Sequence, residues 1–339
     1  MSVGSLYIHQ VGLACPVGLT AAAACAAMRA GIDRRRELPY VDNDGEPIVG
    51  SALSQISFES SALDRCAHLL ALALLDLARG QSDGVLEGLP LVVAVPPSLE
   101  ARWGAAALME RALQLTESAL RPRSVHPVVG GAAAGLQCFA EARLLLAAGH
   151  PGCVVCAVDS LVNAGRLLEL SQGRRLLSSQ NSDGVTPGEA AASVLLSLQT
   201  RGAKAVVAGL GFGLETATLY VDEPLRGDGI VRATRAALSQ AGRTLYDTDF
   251  RVSDAAGEGY FFKEQVLLMS RLLRKVKRHY PVWLCAETLG LVGTAAGLCG
   301  LVRAVVGFEK GTTPGPRAVV FAGDPQGARA AILLDAVEG

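Results

Sequence analysis

The chain has 339 residues, 50% hydrophobic and 19% charged, and its 31 Lys and Arg against 32 Asp and Glu leave a formal net charge of -1. That length fits two ordinary domains or one large duplicated one, and the apolar content excludes a disordered chain. With no basic excess there is no case for a nucleic-acid binder, and no apolar window of about 18 residues is free of charges and glycines, so no membrane span is expected. In chain order the pattern predicts a strand at 5–11, a helix at 20–30, a charged surface loop at 33–50, a helix at 61–79 and a strand at 91–95. Helices at 104–116 and 133–148 and strands at 152–158 and 192–198 follow. The alternation continues with strands at 205–210, 250–253, 281–286, 317–322 and 330–334, and helices at 229–240, 260–278 and 294–306. The strands are short and continuously apolar, as strands covered on both faces are, and their alternation with helices predicts α/β layers.

Two helices stand apart. Segments 132–148 and 293–306 carry Ala, Gly, Leu and Cys on every side, and a helix apolar all round is buried. They lie about 160 residues apart, each after a strand, which predicts a duplicated βαβ unit with one buried helix per half. No sequence repeat accompanies it.

The remaining signals are weak. Eight cysteines sit mostly in apolar runs and read as buried small hydrophobes, including Cys153 and Cys156, whose C-x-x-C lies inside a strand pattern. His9, His68, His126, His150 and His279 have no ligand spacing, so neither a metal nor a cofactor is expected. Gly209-Leu-Gly-Phe-Gly lacks the third glycine of a dinucleotide fingerprint, because Leu214 stands there, and reads as a bend in a twisted strand. The basic run at 274–279 reads as a solvated helix C-terminus, with phosphate contact as its alternative. Asp183, Glu189, Asp254 and Glu258 are loop carboxylates without an evident acid/base pairing. Residues 1–10 show no basic-then-apolar leader, so a cytoplasmic location is expected.

Four stretches, in order, carry a resemblance. Val11-Gly-Leu-Ala-Cys-Pro-Val-Gly-Leu-Thr20 precedes a helix ending Met28-Arg-Ala-Gly31. Gly131-Ala-Ala-Ala-Gly-Leu-Gln-Cys-Phe-Ala-Glu-Ala142 leads through Leu146-Ala-Ala-Gly149 into a strand. Ser182-Asp-Gly-Val-Thr-Pro-Gly-Glu-Ala190 and Gly290-Leu-Val-Gly-Thr-Ala-Ala-Gly297 complete the set. Together these resemble a β-ketoacyl synthase of the thiolase superfamily: its opening G-x-x-[ST]-P-x-G, nucleophile helix, R-D-G-F-x-x-G-E-G and G-H-x-x-G-A-A-G. The resemblance implies a thiolase-like duplicated α/β fold in α-β-α-β-α layers, with two mixed sheets around the buried helices and halves at 1–200 and 201–339.

It also implies that the family's catalytic groups are missing. Matching Gly135 and Glu141 places the nucleophilic cysteine at Ala132, and matching Asp254-Ala-Ala-Gly257 to N-A-H-G places the first histidine at Ala256. The last motif places the second histidine at Leu291, and the lysine upstream falls on Ala286. The glycine-rich gating loop appears as Gly323-Asp-Pro-Gln-Gly327. Condensation needs a thiolate to carry the acyl group and polar donors to stabilise the enolate of a decarboxylating malonyl unit, and these positions supply neither. The resemblance therefore implies a pseudoenzyme that acts by binding. One form is an accessory, adaptor or chaperone-like protein, similar to degenerate thiolase-fold proteins encoded beside type VI secretion genes, with effector or spike proteins as partners. The alternatives are an inactive partner subunit of a ketosynthase heterodimer in fatty acid or polyketide synthesis, similar to chain-length factors, or an acyl-transferring enzyme with a relocated site near His126, Asp254 and Glu258. The resemblance further implies a two-fold homodimer or heterodimer through the strand at 123–129, with Val125, His126 and Val128 at the interface and Pro127 removing one backbone donor.

Overall fold

The computed structural model describes residues 5–79, 81, 86–116 and 120–337. The chain opens with β1 (Leu6–Ala14), α1 (Ala21–Ala30), β2 (Arg35–Val41), β3 (Pro47–Ser51) and α2 (Ala62–Ala78). It continues through β4 (Pro90–Val95), α3 (Pro97–Arg102), α4 (Gly104–Leu115), β5 (Ser124–Val129), α5 (Ala134–Ala147), β6 (Cys153–Ser160), α6 (Ala164–Gln172) and β7 (Glu189–Ser197). Then come β8 (Ala205–Leu214), α7 (Asp228–Gln240), β9 (Phe250–Ser253), α8 (Gly259–Leu272), β10 (Val282–Leu284), α9 (Ala286–Leu289), α10 (Ala296–Glu309), β11 (Arg317–Gly323) and β12 (Ala328–Ala336). Thr20, Ser61 and Asn163 start α1, α2 and α6 by accepting a backbone N–H inside the first turn, and Gly31 ends α1 in the left-handed conformation.

Among the described residues ten strands pair in the order β10-β9-β11-β12-β8-β1-β7-β6-β4-β5. The order is one plan used twice. In each set of five, the first strand pairs antiparallel with the fifth and the fifth antiparallel with the fourth. The fourth then pairs parallel with the second, and the second parallel with the third. The two mixed layers are continuous at one seam, where Leu6, Tyr7 and Ile8 pair with Val207, Val206 and Ala205. The helix between the third and fourth strand of each layer, α5 in one and α10 in the other, lies in the middle. Eleven of the fourteen residues of α10 are buried, which an apolar surface on every side requires. α5 and α10 touch through small residues. A Cβ on Gly297 would sit 2.9 Å from Leu136 Cγ and 3.0 Å from the Ala132 carbonyl, so glycine sets how closely they cross. Outside, α2 and α4 cover one layer and α7 and α8 the other, which gives the α-β-α-β-α stack. No helix among the described residues is long and apolar enough to cross a membrane.

Three local readings change. Segment 33–50 contains the β2–β3 hairpin rather than a plain loop. The helix starting at 260 stops at Leu272, and 274–279 is irregular, because Lys277 donates to the carbonyls of Tyr246 and Thr248 and lies over the Tyr246 and Tyr280 rings. The run from Gly209 is no simple bend: a Cβ on Gly209, Gly211 or Gly213 would run into the carbonyl oxygens of Ala237, Ala233 or Gly229. The glycines line one face of β8 at the strand period and seat α7 at its helical period, backbone against backbone.

Candidate functional site

A cavity of about 350 Å³ opens where both halves contribute loops. Its wall takes Gly131 and Ala132 from the entry to α5, Asp159 from the end of β6, and Arg166 and Glu169 from α6. Asp254, Ala256 and Glu258 come from the segment joining β9 to α8, Phe261 from the first turn of α8, Leu291 and Thr294 from the entry to α10, Gly323 from the end of β11, and Pro325 and Gln326 from the β11–β12 turn. Ala132, Ala256 and Leu291 therefore share one cavity, the first two buried and Leu291 half-buried. Ala286 does not line it. It starts α9 beside a neighbouring cleft, and Arg35 donates to its carbonyl at 3.3 Å.

Beside its apolar residues the cavity wall carries six charged side chains, Asp159, Arg166, Glu169, Arg175, Asp254 and Glu258. Arg175 grips Glu258 with two hydrogen bonds of 2.6 and 2.7 Å and donates to the Tyr220 hydroxyl. Arg166 donates to Glu169 at 2.6 Å and stands 3.9 Å from Asp159. Asp159, 2% exposed, accepts the amides of Ser160 and Thr294, and burial still raises its pKa against the pull of Arg166 and those amides. Gly293 makes that contact possible, since a Cβ there would collide with the carboxylate. Asp254 accepts the Gly323 amide at 2.8 Å and has no cation in salt-bridge range among the described residues. Burial pushes it up to about 6.

The turn at 323–327, between β11 and β12, is held from both sides. The Asp324 amide donates to the Ala328 carbonyl, the Gly327 amide to the Asp324 carbonyl, and the Ala328 amide to the Asp324 carboxylate. Beneath it the buried Arg329 donates to Glu264, to the Asp324 and Ala328 carbonyls and to the Tyr260 hydroxyl. Burial outweighs Arg329 and pushes Glu264 up to about 7.

Among the described residues the cavity wall contains no cysteine, histidine or lysine. Cys138 is buried inside α5, where desolvation raises its thiol pKa well above the usual range. All eight cysteines are buried and free, Cys153 and Cys156 within β6. No cluster of three or more His, Cys, Asp or Glu among the described residues is placed to hold a metal. Asp254 and Glu258 meet in the cavity, but His126 does not join them. It lies on β5, 2.9 Å from Ser124 Oγ and 3.4 Å from Glu141. The relocated site near all three residues is therefore split by the fold. Val125, His126 and Val128 are half-buried on β5, the last strand of the sheet order, and Val129 beside them is 48% exposed. Asp159, Arg166 and Arg175 escaped the sequence reading. The one available signal was Asp159, a charge closing a continuously apolar strand.

No family model matches the sequence, and no curated protein sequence matches it. Solved structures do. A chain of the AntDE:AntF complex, a type II polyketide synthase acyl-carrier protein with its ketosynthase bound to the hexaketide, superposes with a TM-score of 0.79 at 15% identity. That match covers 99% of this chain and 100% of the other. The ketosynthase from module 6 of the bacillaene synthase of Bacillus subtilis 168 gives 0.78 at 12% identity, over 99% of this chain and 72% of that one. A ketosynthase in complex with its chain length factor from Xenorhabdus doucetiae gives 0.77 at 13% identity, over 98% of each chain. The chain has the thiolase-like fold of ketosynthases.

Proposed function

We propose that this is a non-catalytic ketosynthase-like protein that works by binding a partner. One observation carries the reading: Ala132, Ala256 and Leu291, where the family's cysteine and histidines would stand, line one cavity that offers no thiol, imidazole or amine among the described residues. A wall with more carboxylates than guanidinium groups also repels the carboxylate of a malonyl unit. Because the lysine position and the gating loop depart as well, the accessory or adaptor role is favoured, with a cytoplasmic location and a secretion effector or spike protein as its cargo. The second reading is a partner subunit. It is favoured by the place of β5 at the end of the sheet order among the described residues and by the ketosynthase–chain length factor complex among the similar structures.

The test is turnover. Purified protein is expected neither to condense acyl and malonyl thioesters nor to decarboxylate malonyl carrier protein, and Ala132→Cys alone is expected to restore neither, since no donor stabilises the enolate. Turnover above background that disappears in Asp254→Asn would overturn the reading.

A further inference from the structure

We infer that the cavity is a binding site for a small organic ammonium compound, held by Asp254 and Asp159 and shaped by the aliphatic residues that replaced the thiol and imidazoles. The inference rests on the non-catalytic reading of the same cavity. Its wall carries the carboxylates of Asp159, Glu169, Asp254 and Glu258 against the guanidinium groups of Arg166 and Arg175. Both arginines are engaged, Arg175 by both oxygens of Glu258 and Arg166 by Glu169. That leaves Asp254 with an amide for a partner and no cation in salt-bridge range among the described residues, Arg329 acting on it only from farther off, and Asp159 with two amides and a guanidinium at 3.9 Å.

Carboxylates left in this state are costly, and a cation that enters and hydrogen-bonds to them removes the cost. The rise in the pKa of Asp254 agrees with a carboxylate short of compensation. Two more features fit an organic cation rather than a bare ion. Tyr220 and Phe261 add aromatic surface to the wall, and ring faces favour ammonium groups. Arg166 Nε is buried without a hydrogen-bond partner among the described residues, so a ligand oxygen has a donor waiting. Ala132, Ala256 and Leu291 supply the apolar floor for a short alkyl chain.

The experiment titrates the whole protein calorimetrically at pH 7.5 and low salt with two probes of equal length, 5-amino-1-pentanol and 5-hydroxypentanoate. The amine is expected to bind and the carboxylate not. Asp254→Asn is expected to weaken the amine at least tenfold while thermal melting confirms a folded protein, and Glu309→Gln, outside the cavity, to leave binding unchanged. Failure of the amine to bind, equal or tighter binding of the carboxylate, or an unchanged affinity in Asp254→Asn would overturn the inference. Malonyl decarboxylation is measured on the same preparation. Turnover there sinks the non-catalytic reading, whereas absence of both turnover and amine binding sinks only the ligand.

Discussion

Among the described residues two Arg–Glu pairs, one against each set of five strands, have side chains at most 3% exposed, and the two are built differently. In the first half Glu189 accepts from Arg65 Nε and Nη2, the Leu53 amide and the Ser160 hydroxyl, at 2.6, 3.1, 2.6 and 2.7 Å. Arg65 spends its other donors on the Ile56 and Ser57 carbonyls and stacks on Phe58. The pair ties β7, α2, β6 and the 53–58 segment into one closed network. In the second half Glu264 receives, among the described residues, only the single Nε–H of Arg329, shared between its two oxygens. The negative charge of Asp254 and Glu215 adds to its burial, and its pKa climbs to about 7. A saturated pair acts as a lock. An undersaturated pair beside a cavity leaves protonation open.

Removing one arginine from each pair separates them most sharply. Arg65→Met leaves a carboxylate with no exposure to water and no cation, and the expected loss is about 3–5 kcal/mol of unfolding free energy by urea denaturation. Arg329→Met is expected to cost less, because Glu264 already leans toward its neutral form and takes up a proton when orphaned. Equal losses at pH 6 would erase the distinction between the two pairs.

The second contrast lies in pH. Glu264 and Asp254 rise from 4.5 and 3.8 to about 7 and about 6 on folding. An acid with a raised folded pKa binds more protons when folded. Its contribution is fully present below the unfolded pKa and is lost as pH rises through the folded one. The contribution of these two groups is therefore expected to fall between pH 4.5 and 7.5, by an amount on the order of a few kcal/mol, while His9, whose pKa burial lowers, works against it in the same range. Glu264→Gln is expected to flatten that slope, read from urea midpoints across the range. A slope unchanged in this variant would mean that Glu264 is ionised throughout, like an ordinary ion-paired carboxylate.

The frame of the molecule was open to reading and its site was not, for a physical reason. Continuously apolar runs such as 152–158 and helices apolar on all sides report burial through composition alone, so β6 and α10 were visible, and the order of the motifs gave the layered fold; α5 departs from that reading, with seven of its fourteen residues buried and Leu144 65% exposed. The halves share no sequence repeat, because the same strand order is built from different side chains. Charges at the cavity come from segments far apart in the chain, with Asp159, Arg175 and Asp254 meeting only after folding, and no local pattern records that. The β8 glycines were misread for a related reason. Their meaning lies in the helix opposite, at Gly229, Ala233 and Ala237, not in the strand that carries them.

The smallest expected effect bears on whether the cavity is a true opening or a packed remnant. A leucine in a filled core loses about 2–5 kcal/mol on truncation to alanine, part of it for the void left behind. Leu298, fully buried in α10 against α5, belongs to that class. Leu291 does not: it is half-buried, and one side of it already faces the cavity. Truncation there removes fewer contacts and enlarges a space that water reaches, so Leu291→Ala is expected to cost only about 1 kcal/mol, with Leu298→Ala measured beside it by urea denaturation. Equal losses would show Leu291 plugging the site, leaving no room for a ligand between it and Ala132. A small loss at Leu291 beside a large one at Leu298 keeps the space open in solution, so that the charged wall, and not a packed leucine, decides what the cavity admits.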